Sequence, residues 1–193
     1  MSMANKFIQA IRNHWRDYLL LFGIAAVIVV LDQITKVVVR NNLTFGEIWV
    51  PWRWLAPYAR IVNIQNSGAA FGSFQSLGDV FAVLAVIVAG AIVYYFPQVP
   101  REDKLLRIAL ALQFSGAIGN LIDRIHQGWV TDFVSLGPFP VFNVADLCIT
   151  TGVILLILSI WLKERNKPAV SSQTAETSAE TGADPRPKEP MGE

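Results

Sequence analysis

Four apolar runs set the pattern of this chain, at 18–39, 80–96, 105–122 and 144–162. Each approaches the roughly 20 residues that a helix needs to cross a bilayer core, so each predicts a transmembrane helix. The first is uninterrupted to Leu31 and then continues through Asp32 and Lys36, four apart and therefore on one helical face. Gly78-Asp79 precedes the second run as a helix N-cap would, and Pro97 ends it. Several runs are slightly short, so polar residues must enter the helix ends, where a site can form. The stretch 43–64 mixes Trp, Tyr, Val and Ile with Pro51 and Pro57, which predicts short strands or an interfacial flap. Trp129-Val130-Thr131-Asp132-Phe133-Val134 also has the character of a strand. The pattern predicts an all-α polytopic membrane protein, with four transmembrane helices and a small strand or flap region on its outer face.

Composition agrees with a lipid solvent. The 193 residues are 53% hydrophobic and 16% charged, with a mean hydropathy of +0.41, too apolar for an ordinary soluble domain. A net charge of +1 gives no basis for nucleic-acid binding. The lone cysteine, Cys148, excludes an internal disulfide and sits in an apolar run, as a small packing residue would.

Charge distribution then orients the bundle. Lys6, Arg12 and Arg16 precede span one, Arg101, Lys104 and Arg107 lie between spans two and three, and Lys163, Arg165 and Lys167 follow span four. By the positive-inside rule both termini are cytoplasmic. The tryptophans fit, with Trp15 and Trp161 at inner ends and Trp49, Trp52, Trp54 and Trp129 in outer segments. A cleaved signal peptide is the rival for the first run. No small-x-small site follows it, and the helical pattern continues to Lys36. The expected organisation is a cytoplasmic segment at 1–14, a four-span membrane domain at 15–163 with outer segments 40–79 and 123–143, and a disordered Ser/Thr/Glu/Pro-rich cytoplasmic tail at 164–193.

Candidate chemistry is concentrated where charge is scarce. Between 108 and 162 the fully charged residues are Asp123, Arg124, Asp132 and Asp146. A carboxylate within a span costs roughly 2.5–3.5 kcal/mol on insertion scales, which makes each a functional candidate. Asp32 with Lys36 fits a structural ion pair. Asn66-Ser67-Gly68-Ala69-Ala70-Phe71-Gly72 suits either a loop entering a helix or a place where another backbone approaches closely. Asn120 and Asp123 share a face at the outer end of span three, where Gly116 and Gly119 permit tight packing. Arg124 is a ready ionic partner for a neighbouring carboxylate or a lipid phosphate, and Asp123 has a structural role open to it. Asp132 has no basic residue after it before Lys163. Asn143 and Asp146 share a face where span four opens, and Asp146 is equally suited to an N-terminal cap. The 14 residues from Asp132 to Asp146 give ample reach to bring the two together, at about 3.3 Å per extended residue. Acids clustered at one boundary argue against a proton relay through the membrane; a noncatalytic lipid-binding factor would predict binding without cleavage.

Taken in order, Asp32-Gln33-Ile34-Thr35-Lys36, 66–71, 116–124, 130–133 and 142–146 resemble the bacterial lipoprotein signal peptidases, also called signal peptidase II, over about residues 15–163. The resemblance implies an aspartyl endopeptidase of the cytoplasmic membrane that cleaves diacylglyceryl-modified prolipoproteins just before the lipidated cysteine. It implies Asp132 and Asp146 as the catalytic pair and Asp32, Asn66, Asn120, Asp123, Arg124 and Asn143 as supporting or substrate-holding residues. Ser115 stands where many relatives have a second glycine, which concerns packing and not chemistry. No metal or cofactor is expected, His14 and His126 being poorly placed to bind one. Prolipoprotein and membrane lipids are the expected partners, and a monomer the expected state.

Overall fold

The computed structural model describes residues 3–68 and 77–166, with side chains from His14 in the first stretch and from Gly78 in the second. Positions 69–72 of the turn-prone block, and the tail from 167 onward, lie outside the described residues. Two units divide the chain, 1–160 and 161–193.

Helix α1 runs Met3–Asn42, with non-helical backbone at His14. It thus starts earlier than the apolar pattern predicts. Helices α2 (Leu77–Tyr95), α3 (Lys104–Gln127) and α4 (Val144–Arg165) follow. All four are long and apolar enough to cross a membrane. Asp79 falls in the first turn of α2 and not before it, a correction to its expected place as the cap; an acid there still complements the helix dipole. The capping carboxylate belongs to α3, where Asp103 accepts the Leu106 N–H at 3.1 Å. Gly128, at φ 80°, ends α3 in the left-handed conformation that turns the chain into the next strand.

The expected strands or flap form a three-stranded antiparallel sheet in the order β1 (Ile48–Trp49), β2 (Ala59–Asn66), β3 (Val130–Leu136). A register irregularity between Ile61 and Ile64 shifts the ladder, after which Ile64 pairs with Asp132 and Asn66 with Val130. The returning chain is stitched to β3 where Phe142 exchanges backbone bonds with Val134, of 2.8 and 3.0 Å. That bridge stands one residue before Asn143.

Burial runs opposite to that of a soluble protein. Large apolar side chains such as Leu19, Val27, Ile87 and Ile157 are exposed on the helix surfaces, where lipid replaces water. A compact core of Leu21, Ala25, Ala89, Ile92, Phe96, Ala111 and Phe114 joins α1, α2 and α3, its alanines allowing close helix approach. At the end bearing the sheet, apolar residues such as Val130 and Phe133 are buried beside a polar set: Asp32, Lys36, Asn120, Asp123, Thr131, Asp132 and Asn143 are each at most 5% exposed.

Candidate active site

Polar groups removed from water must satisfy one another, and here they do so as one network. It begins on α1. The Lys36 ammonium lies 2.8 Å from Asp32 and 3.2 Å from Asp123, and it donates to the Asn120 side-chain carbonyl at 3.0 Å. Asp32 also accepts the Ala145 backbone N–H at 2.9 Å, which holds the first turn of α4 against α1. Gly119 makes room for this contact, since a Cβ there would come within 2.7 Å of the Asp32 carboxylate. Asp123 accepts the Thr131 backbone N–H at 3.0 Å, tying α3 to β3, and lies 3.8 Å from Arg40. Asp32 and Asp123 are therefore neutralised by α1 cations and bound to backbone.

Asp132 and Asp146 are held differently. Neither forms an ion pair among the described residues, and both are surrounded by amides. Asp132, 2% exposed, accepts the Asn66 side-chain amide at 2.8 Å on one oxygen and the Asn143 amide at 2.7 Å on the other. Asn66 is itself fixed by the Gly68 N–H, 2.9 Å from its carbonyl oxygen. Asp146 accepts the Asn120 amide at 2.7 Å and the Asn143 backbone N–H at 3.2 Å. The Asp146 N–H in turn donates to the Asn143 carbonyl oxygen at 2.9 Å, the reciprocal pattern of a capping box. Asp146 thus takes part in a cap and in the polar cluster at once. Asn143 touches both carboxylates, and it also donates to Asn120 at 3.1 Å.

Electrostatics follows from this packing. Burial pushes the Asp132 carboxyl up to about 6, opposed by the Asn66 amide, reinforced by the nearby Asp146 charge, and opposed again by Asn143 and Lys36.

A cavity of about 280 Å³ opens beside Asp146. Phe81, Leu84 and Val88 of α2 give it an apolar wall, and Asn120, Arg124 and Asp146 line its polar part. Arg124 lies over the Phe81 ring at 5.6 Å, its Nε is buried without a partner, and it forms no ion pair among the described residues. It feels the charges of Asp146, Asp132 and Asp123 without a direct ion pair to any of them. The cations paired with Asp123 come from α1 instead, because consecutive helix residues project in different directions. Among the described residues, no group of three His, Cys, Asp or Glu side chains is arranged to hold a metal ion.

The family model described as signal peptidase (SPase) II matches residues 24–162. The chain belongs to the signal peptidase II family. A lipoprotein signal peptidase of Shouchella clausii is 40% identical over 146 residues, which are 75% of this chain and 94% of the relative. One of Hydrogenovibrio crunogenus is 39% identical, over 77% of this chain and 90% of its own length. A solved bacterial membrane enzyme superposes with a TM-score of 0.70 at 31% identity, covering 77% of this chain and 92% of that one. The signal peptidase II assignment makes the chain a membrane-embedded peptidase of the aspartic class, consistent with the two amide-held carboxylates.

All eight candidate residues are drawn to the sheet-bearing end. Asp132, Asp146, Asn66, Asn120 and Asn143 are directly bonded to one another. Asp32 and Asp123 stand behind them through Lys36, and Arg124 lines the cavity. Sequence reasoning missed three contributors: Gln33, which donates to both Asp32 and Asp123; Arg40, bonded to the Thr131 hydroxyl at 2.9 Å; and Lys36 as the centre of the network and not half of one pair. Their signal was present in Asp32-Gln33-x-x-Lys36, a polar face in an otherwise apolar span.

Proposed function

We propose that Asp132 and Asp146 act as one acid–base pair that removes the signal peptide from diacylglyceryl-modified prolipoproteins, cutting just before the lipidated cysteine. The observation that carries this reading is the sharing of Asn143: its side-chain amide binds Asp132 and its backbone N–H binds Asp146, so one residue joins the two acids, and neither acid is ion-paired among the described residues. With one proton between them, the ionised acid takes a proton from water while the protonated one polarises the scissile carbonyl. The water oxygen adds to the carbonyl carbon, and as the tetrahedral adduct collapses the C–N bond breaks, the carbonyl re-forms and the proton taken from water passes to the leaving nitrogen. Asn66 and Asn143 hold the acids in register, and Arg124 faces the substrate cavity.

The apolar α2 wall of the cavity suits an apolar signal helix and acyl chains arriving through the bilayer. Orientation is part of the proposal. Arg101 and Arg107 bond to Asp17 near the start of α1, so those cations share one end of the bundle. By the positive-inside rule that end is cytoplasmic, as are both termini, and the acid pair faces outward. The working unit is residues 15–163, acting as a monomer.

The test is incubation of the purified full chain with a diacylglyceryl-modified precursor and with its unlipidated twin. Cleavage of the first alone is expected. Equal cleavage of both would remove the lipid requirement, and no cleavage of either would overturn the reading.

A further inference from the structure

At the end opposite the acid pair lies a second polar cluster, with no bond to the candidate active site among the described residues. Asp17 on α1 is 3% exposed. Arg101 grips it with two bonds of 3.0 Å, Arg107 with one of 2.8 Å. Arg107 is itself fixed, donating to the Val99 carbonyl at 3.1 Å and lying 4.5 Å over the Phe96 ring. These contacts form a rigid floor between α1 and the α2–α3 connection. Above it opens a cavity of about 440 Å³, lined by Arg16, Arg101, Lys104 and Arg107 with Asp17 as the lining carboxylate. One acid cannot neutralise four cations. Of the other local acids, Asp103 caps α3 and Glu102 acts on Arg101. Arg16 and Lys104 form no ion pair among the described residues.

The cavity continues into an apolar groove. Arg16 and Leu20 line both the cationic cavity and a groove of about 640 Å³ that runs along one face of α1 past Gly23, Ile24 and Val27 to Ile28. Gly23 leaves the groove open, since nothing lies within 4 Å of where its Cβ would be. From Arg16 to Ile28 the rise is about 18 Å at ~1.5 Å per residue, close to the roughly 15 Å that one leaflet contributes to the hydrocarbon core. A cationic pocket between helices, joined to an apolar groove one leaflet deep, has the outline of a phospholipid.

We propose that this end of the bundle binds one anionic phospholipid, its headgroup phosphate on Arg16 and Lys104 above the Asp17 floor and one acyl chain along the Arg16–Ile28 face of α1. The site is remote from the chemistry, as Asp17 and Asp32 are separated by about 22 Å along α1. An excess of cations favours an anionic over a zwitterionic headgroup, at roughly fivefold in affinity per basic residue near a membrane surface.

The experiment titrates the purified, delipidated full chain in detergent with phosphatidylglycerol or phosphatidylcholine and counts retained lipid by native mass spectrometry. The expected result is one phosphatidylglycerol held at least tenfold more tightly than phosphatidylcholine. Arg16→Gln with Lys104→Gln should remove most of that preference, each basic residue being worth roughly fivefold, with lipid-free thermal stability little changed because neither side chain is ion-paired among the described residues. Gly23→Leu, which fills the groove, should weaken both lipids alike. Equal retention of the two lipids by the unmodified chain would overturn the proposal. So would a preference insensitive to the double substitution, or displacement by inorganic phosphate at the lipid's own concentration, which would identify an anion site without a tail.

Discussion

Lys36 stands 2.8 Å from Asp32 with both side chains wholly excluded from solvent. Each would be costly to bury alone; together, with Asp123 3.2 Å away, they form the foundation on which the acid pair rests. Removing the cation strands Asp32, which has no other ion-pair partner among the described residues, and leaves Asp123 with Arg40 alone, at 3.8 Å. Lys36→Met is expected to cost about 3–5 kcal/mol, seen as a large fall in thermal midpoint in detergent. Lys36→Met combined with Asp32→Asn should lose less than the sum of the single effects, because one stranded charge is removed. Additive losses would show that the network is not coupled.

The two acids should be separable from this foundation. Asp132→Asn and Asp146→Asn preserve side-chain shape and remove no ion pair among the described residues. Each should reduce cleavage of a lipidated precursor by roughly a thousandfold, within the range of general acid–base contributions, while membrane insertion persists and the thermal midpoint falls only by the loss of one accepted N–H bond, about 1–3 kcal/mol. Turnover near the unmodified rate in either variant would exclude that residue from the chemistry.

Proton occupancy gives a pH prediction with a definite sign. The Asp132 carboxyl lies at about 6 against an ordinary 3.8. Between those values the folded chain holds a proton that the unfolded chain releases, so stability falls as pH rises through that window. Loss of the pair's last proton should also set the alkaline limb of kcat/KM, beginning near pH 6 in the free enzyme. The Asn66 amide opposes the rise by bonding the ionised form. Asn66→Ala should therefore move the alkaline limb to higher pH while lowering the maximal rate. A limb that stays in place or moves down would disconnect Asn66 from the titrating pair.

What could be read in the chain beforehand divides along physical lines. The four spans were legible because lipid selects long apolar runs irrespective of tertiary contacts. The strand around Asp132 was legible from Val130 to Val134, and the family from ordered motif blocks. The pairing of Asp132 with Asp146 was implied by the resemblance and not by spacing, since a 14-residue return permits many arrangements. The Phe142–Val134 bridge and the doubly bonded Asn143 select one of them. Asp123 illustrates the same limit. Its sequence neighbour is Arg124, yet its cations arrive from Lys36 and Arg40, some 80–90 positions earlier. Local spacing shows which face of a helix a group occupies, and only packing decides what meets that face.

The closeness of α3 and α4 can be tested at a single hydrogen atom. A Cβ on Gly116 would collide with the Ala145 carbonyl oxygen and the Ile149 side chain, the first of which belongs to rigid backbone. Ala145 directly precedes Asp146 and is the residue whose N–H Asp32 holds. Gly116→Ala must therefore push the first turn of α4 away from α3, stretching both the Asp32 anchor and the Asn120–Asp146 bond of 2.7 Å. An overpacking cost of about 1–3 kcal/mol is expected, with activity falling further than stability because the acid itself is displaced. Gly90→Ala on α2 is the control, since nothing lies within 4 Å of its added methyl. That substitution should be neutral or mildly stabilising, by roughly 0.4–1 kcal/mol. If the two variants behaved alike in thermal midpoint and cleavage rate, close α3–α4 packing would not be what positions Asp146.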